Sequence, residues 1–315
     1  VDNHGAEVAR GVPQVLTDGI QPVLSPDSSG RLELARWMSD PSHPLTARVM
    51  VNRVWHHLFG SGIVRTVDNF GESGERPSHP QLLDHLAERF TGEMNWSLKK
   101  LIRAVMLSHS YRLASEYRES NHAVDPDNTL FWRANVRRLE AEALRDAMML
   151  VAGTLQLEPA KGSLVQKLKG GEVGKSGGGP AVNSFAHRSV YLPIVRNYVP
   201  EFLQVFDFAE PASVIGRRDI TTVSTQALYL LNDQFVINQS RAAATRLLKD
   251  ERFADRQERI TGAYLLALGR SPSGAELAQA SRYLERASGD GQASQEALGA
   301  LIQALFASAE FRYAL

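Results

Sequence analysis

Apolar positions recur at helical spacing through most of the chain, and one stretch adds a polar stripe beside the apolar one. In Pro44–Gly60, PLTARVMVNRVWHHLFG, Val51, Val54, Trp55 and Leu58 fall on one face. Arg48, Asn52 and His56 stack at i, i+4 and i+8 on a neighbouring face. Pro44 suits a first helical position and Gly60 a stop. A Trp-bearing face is expected to be buried, so the adjoining guanidinium, carboxamide and imidazole need partners, because an orphaned buried polar group costs about 1–3 kcal/mol. Candidates follow at once in Arg65, Asp68, Asn69, Glu72, Glu75, Arg76 and His79.

The same spacing predicts further helices. RLELARWM from Arg31 places Leu32, Leu34, Ala35 and Met38 inward and ends at Asp40-Pro41. Ser78-His-Pro-Gln81 has the form of a capping box ahead of Leu82, Leu83, Leu86 and Phe90. Leu98, Leu101, Ile102 and Val105 mark another amphipathic helix, and Asp125-Pro-Asp-Asn128 a turn. A long helix is expected over 135–152, with Arg138 and Glu142 paired at i, i+4. From Thr225 the pattern is helical to the end, with a second capping box at Ser273-Gly-Ala-Glu276.

Three segments break the pattern. Residues 1–30, rich in Gly and Pro, read as an extended arm. Lys161–Pro180, rich in Gly and Lys, reads as a mobile loop. Ser189–Arg196, SVYLPIVR, reads as a strand that Pro193 confines to an edge or a short ribbon. The expected fold is therefore mainly α: after the arm, one large helical domain over 31–315, with helical halves 31–155 and 224–315 and a loop and ribbon over 156–223 between them.

Composition narrows the chemistry more than it names it. At 315 residues and 43% hydrophobic, the chain can bury a substantial core. Basic and acidic residues balance at 35 each, so charge gives no reason to expect nucleic acid or an anionic membrane as partner. The absence of cysteine excludes disulfides, thiolate metal sites and covalent haem attachment. No apolar run approaches the ~18 residues of a membrane span. The abrupt start at Val1 is what a piece of a longer protein, cut free of any targeting segment, would show.

Five ordered blocks carry a family resemblance: LARWMSDPSHPLTARVMVNRVWHHLFGSGIVRTVDNFGESGERPSHPQLLDHLAERF, NWSLKKLIRAVMLSHSYR, RRLEAEALRDAM, RRDITTVSTQALYLLND and LFASAEFRYAL. Over nearly its whole length the chain resembles the planctomycete-type cytochrome-c-associated C-terminal domain of unknown function. The resemblance implies the C-terminal part of a large exported protein whose other parts include a cytochrome-c-like domain and, in some members, a carbohydrate-binding or immunoglobulin-like module. It implies no cofactor in this chain, haem in a partner domain, and an extracytoplasmic setting. It supplies no established activity. Members often show Asn-Asp-Phe-Gly where this chain has Asp68-Asn69-Phe70-Gly71.

Two clusters are candidate sites. Arg48, Asn52, Arg53 and His56 with Asp68, Asn69, Arg76 and His79 could bind an anionic or hydroxyl-rich ligand, or could pin the 60–77 loop to the helix. Arg188, Arg217, Arg218 and Asp219, with Arg196 nearby, could hold an oxyanion, or could cap carboxylates such as Asp207 or Glu210. Lys169–Ser176, KGGEVGKS, has Lys where a Walker loop needs its first Gly, and GGGP follows where a helix should start. No His pair has metal-ligand spacing, and Gly71-Glu-Ser-Gly74 is one residue short of a nucleophile elbow. The expected function is a ligand- or partner-binding domain without its own catalytic centre, linked to polysaccharide use. The alternative is a carbohydrate-active hydrolase using Asp68, Glu72 and Glu75, and whether any bond is broken stays open.

Overall fold

The computed structural model describes residues 5–6, 8–17, 19–25, 27–162, 182, 184–194, 199–287 and 291–314. It divides into two compact units, Val1–Asn135 and Val136–Ala314. The division falls inside the segment that the sequence pattern groups as the first helical half.

Unit 1 contains α1 (Arg31–Met38), α2 (Thr46–Phe59), α3 (Pro80–Thr91), α4 (Leu98–Met106) and α5 (Glu119–His122). Helices α2, α3 and α4 pack on one another. Ala47, Val51, Trp55 and Phe59 of α2 are buried four residues apart, and this stripe meets Leu83, Leu86, Ala87 and Phe90 of α3 and Leu101 and Val105 of α4. Each large side chain so buried contributes about 1.5–3 kcal/mol. Trp55 stacks on Phe59 at 4.2 Å between ring centroids, and Phe131 meets Trp55 edge-on at 5.5 Å. Helix α2 stops at Gly60, whose N–H still reaches the His56 carbonyl at 2.7 Å and whose left-handed φ of 80° turns the chain out of the helix. Its Phe59 carbonyl accepts a bond from Asn135 Nδ2 at 2.9 Å.

Unit 2 begins with β1 (Arg137–Arg138), followed by α6 (Ala141–Ala152), α7 (Glu201–Val205), α8 (Ser224–Asn232), α9 (Gln234–Lys249), α10 (Arg256–Leu268), α11 (Gly274–Ala287), α12 (Gly291–Ala307) and α13 (Ala309–Arg312), and ends with β2 (Tyr313–Ala314). Helix α9 lies against both α6 and α12, its Ala243 and Ala244 fully buried at those contacts. Gly262 of α10 faces α9 so closely that a Cβ there would come within 2.8 Å of Leu247 Cδ2. Capping boxes start α10, from Asp255 and Glu258, and α11, from Ser273 and Glu276. Among the described residues no helix is long and apolar enough to cross a membrane.

The chain is mainly α with a two-stranded antiparallel ribbon, as the pattern implies, but the ribbon uses other residues: Arg137 pairs with Ala314 and Arg138 with Tyr313. The expected strand at Ser189 is a 3-10 turn over Ser189–Tyr191, because α6 grips that segment as described below. The expected helix over 135–152 starts at Ala141, since Glu140 is extended at ψ 155°. Helix α1 forms but buries none of Leu32, Leu34 or Met38, and Trp37 packs instead on His43 at 4.5 Å. Leu98 is likewise exposed. Ser78 does not cap α3: its hydroxyl bonds the Ile63 carbonyl, and Pro80 stands at the helix start. The Gly-rich loop after Gly162, including KGGEVGKS, and Arg196 lie outside the described residues.

Candidate functional site

The polar side of α2 divides into a buried half and an exposed half. Asn52 is wholly buried, donating from Nδ2 to the Val64 carbonyl at 2.9 Å and accepting from the Val64 N–H at 2.8 Å. Both polar groups of a buried backbone unit are thus met by one side chain. Gly62 makes room for it, since a Cβ there would overlap the Val64 carbonyl and crowd the Asn52 amide. Ile63, Val64 and Val67 are buried, so the loop carries its own apolar plug. The Ser78 N–H closes it on the Ile63 carbonyl at 2.9 Å.

Beyond that plug the loop is self-supporting. Thr66 Oγ1 donates to the Asn69 carbonyl at 2.8 Å and accepts from the Glu75 N–H at 2.9 Å. Asn69 accepts from the Gly71 N–H at 2.9 Å and donates to Ser73 Oγ at 3.1 Å. Asn69 is therefore occupied in shaping the turn.

The charged residues meet opposite charges at the surface. Arg48 Nε bonds Asp84 at 2.6 Å, tying α2 to α3, and its Nη1 bonds the Pro44 carbonyl. Arg53 stands 3.9 Å from Asp68, and Arg65 3.7 Å from Glu75, both beyond hydrogen-bond length and with each side chain roughly half exposed. Arg76 and Glu72 are exposed on the same loop. His56 is half-buried. His79 bonds Ser78 Oγ at 2.9 Å and lies 5.9 Å from the Phe131 ring. The structure thus brings Arg48, Asn52, Arg53, Asp68 and Asn69 into one helix-and-loop unit, with Asn52 as its buried fastening.

The second cluster separates. Arg218 grips Glu142 of α6 with both Nη atoms, at 2.7 and 2.9 Å, approaches Glu140 at 3.5 Å and covers the Phe208 ring at 4.8 Å. It does cap a carboxylate, but not Asp207 or Glu210. Arg188, Arg217 and Asp219 are exposed.

Asp207 belongs to another group. It accepts from Arg138 Nη2 at 2.6 Å, from the Thr221 N–H at 2.9 Å and from Thr221 Oγ1 at 2.8 Å. Burial pushes its carboxyl up, but the bonds from Thr221 and Arg138 outweigh that and hold it below the usual range. The expected Arg138–Glu142 pair does not form, because Arg138 lies in β1 rather than in the helix.

Among the described residues Arg145 of α6 is the most deeply buried cation, and the sequence pattern marks only its place in a helix. Its Nη2 donates to the Val182 and Phe185 carbonyls at 3.2 and 2.6 Å, and its Nη1 to Ser189 Oγ at 3.2 Å. Asp146 takes the Ser189 N–H at 2.8 Å and its hydroxyl at 2.6 Å. Burial pushes the Arg145 guanidinium down to about 10. These bonds hold 189–191 in its tight turn. Among the described residues no group of three or more His, Asp or Glu side chains is placed to hold a metal ion.

The model of the family described as PSD1, protein of unknown function (DUF1553), matches residues 30–284. No curated protein and no solved structure matches the chain.

Proposed function

The chain belongs to the PSD1 family of proteins of unknown function (DUF1553), and we propose that it is a ligand- or partner-binding domain without a catalytic centre of its own. The reading places it in an exported, extracytoplasmic protein whose other parts include a cytochrome-c-like domain carrying the haem, with a link to polysaccharide use. That context rests on the family resemblance of its sequence blocks. The binding surface would be the outer side of α2 and the 60–79 loop, comprising Arg48, Arg53, Asp68, Arg76 and His79.

The observation that carries the reading is the state of the charges there. Arg53–Asp68 and Arg65–Glu75 are half-exposed pairs at 3.9 and 3.7 Å, worth little to the fold and open to exchange with a ligand's own groups. Glycoside cleavage instead needs two carboxyls facing each other across the bond, about 5–10 Å apart. Asp68 and Glu75 each face a guanidinium. The buried Asn52–Val64 pair holds the loop in place before any ligand arrives, which lowers the ordering cost of binding.

The test is a screen of the whole chain against a glycan panel and a cytochrome-c-like partner domain, with Arg53→Ala as control. The expected result is saturable binding to one class, weakened in the variant, with the ligand recovered intact. Release of cleaved glycan that Asp68→Asn or Glu75→Gln abolishes would replace this reading with the hydrolase. Absence of binding to either class would overturn it as well.

A further inference from the structure

One half-buried arginine of unit 1 is held by rings rather than by acceptors, whereas Arg48 and Arg89 of the same unit donate to carboxylates. Arg133, half-buried, makes no side-chain hydrogen bond or ion pair among the described residues. Its Nε is sealed from solvent without a partner. The guanidinium instead lies against two rings, 4.9 Å from the Trp132 centroid and 5.6 Å from that of Tyr117. Beside Tyr117, at 5.2 Å between rings, stands His122, whose Nδ1 is also buried and unpartnered.

Hydrogen bonds and ring contacts shape the turn that carries this group. Asn128, buried and in the left-handed region at φ 52°, accepts from the Arg133 N–H at 3.3 Å and donates to the Arg133 carbonyl at 2.9 Å. Asp125 accepts from the Thr129 and Leu130 N–H groups, and its own carbonyl accepts from Trp132 Nε1 at 2.9 Å. Phe131 anchors the turn among Trp55 and Phe59. The nearby carboxylates are engaged elsewhere: Glu119 accepts from Tyr117 OH at 2.8 Å, and Glu116 faces Arg118 at 3.9 Å.

The Nε–H of this guanidinium is buried without an acceptor, and its Nη donors, open to solvent, meet no acceptor among the described residues, so they are free to take oxygen atoms from outside. The two rings stabilise the charge without using a single N–H. What completes the group is a planar oxyanion, whose two oxygens match two parallel N–H donors of a guanidinium. We propose that Arg133, flanked by Tyr117 and Trp132 and backed by His122, is a binding site for a carboxylate group on a ligand or partner. This site shares no residue with the α2 and 60–79 surface, so substitutions can test each without altering the other.

The experiment uses the whole chain and follows the Arg133 Nε–Hε signal by NMR, identified by its loss in Arg133→Lys, during addition of sodium acetate, sodium sulfate or sodium chloride at matched ionic strength. Acetate is expected to move that signal along a saturable curve, with sulfate at least threefold weaker and chloride without saturation. Because this readout is taken on the native chain, it does not depend on any variant folding. In parallel, Arg133→Lys keeps the charge but loses the fork, and is expected to weaken acetate binding, read from the His122 ring signals, at least tenfold. A linear response shared by acetate and chloride, or full acetate affinity in Arg133→Lys, would overturn the proposal. Tighter binding of sulfate than acetate would overturn the carboxylate assignment.

Discussion

Asn52→Ala tests the fastening on which the loop depends. The side chain is fully buried and satisfies both the N–H and the carbonyl of Val64, which is itself buried. Removing the amide leaves one donor and one acceptor sealed without partners, at about 1–3 kcal/mol each, or roughly 2–6 kcal/mol together. Alanine also opens a cavity, so Asn52→Leu, which refills the volume, separates the two contributions. If the hydrogen bonds dominate, the leucine variant should be nearly as damaged as alanine. Asn52→Asp should not rescue, since a carboxylate accepts from the Val64 N–H but sets an oxygen against the Val64 carbonyl. With two units in the chain, a single global unfolding curve is not assumed to be two-state. Hydrogen exchange at the Val64 and Ser78 amides is the direct assay, the second because Ser78 closes the loop on Ile63. At 1.36 kcal/mol per decade, local opening should speed exchange there by roughly 30-fold or more, up to the limit set by unfolding of the unit. Exchange in Asn52→Leu within threefold of the parent at both amides would refute the argument that this pair holds the loop.

Three other outcomes follow from the packing and the charges. Trp55→Ala removes the centre of the ring cluster with Phe59 and Phe131 and should destabilise unit 1 by about 3–5 kcal/mol, so an unchanged melting profile would show that the stack carries no weight. The Asp207 carboxyl is held below its usual range, so its ionised form favours the folded state; that contribution is complete above the ordinary carboxylate range and is lost as pH falls through the folded value. The stability gap between the parent and Asp207→Asn should therefore narrow on acidification in chemical unfolding, and a gap constant from pH 7 to pH 2 would contradict the assignment. Arg270, bonded at once to Glu276 and Glu310, and the Ser273 N–H and hydroxyl hold the Glu276 carboxyl down at about 2; an NMR titration should find that midpoint and Arg270→Gln should raise it, whereas a Glu276 midpoint near 4 in the parent would refute the pairing.

What the sequence made legible, and what it hid, turns on whether a residue's partner is local. Helix α2 could be read because its periodicity is a property of contiguous residues, and Asn52 could be flagged because a polar group beside a Trp-bearing face needs a partner. That the partner is the Val64 backbone could not be read, since every residue offers the same N–H and carbonyl. Arg48 meets Asp84 across 36 residues, and Arg138 meets Asp207 across 69, with no local spacing to announce either. The expected Arg138–Glu142 pair applied a helix rule across a boundary that Glu140, in extended conformation, places between them.

The turn at Ser189 shows the same cause acting on secondary structure. Val190, Tyr191 and Ile194 favour a strand by composition, yet β propensity is worth at most about 1 kcal/mol per residue, or about 3 kcal/mol for the three together. Arg145 and Asp146 bring several hydrogen bonds to that segment, on the carbonyls of 182 and 185 and on the N–H and hydroxyl of Ser189. A charge-assisted bond contributes about 1.5–3 kcal/mol, so these four, at about 6 kcal/mol or more, outweigh the preference of the three residues. Adjacent Arg145 and Asp146 look, in sequence, like the commonplace charges of an amphipathic helix. Their burial, and with it the bend they impose, follows only once α9 and the rest of unit 2 have closed around α6. The same reasoning separates Arg145 from Arg133: the first is buried and the fold supplies its acceptors, while the second is half-buried against ring faces with its Nε sealed and unpartnered. An arginine whose acceptors come from its own fold needs no ligand, whereas one held only by ring faces leaves its donors to an outside oxyanion.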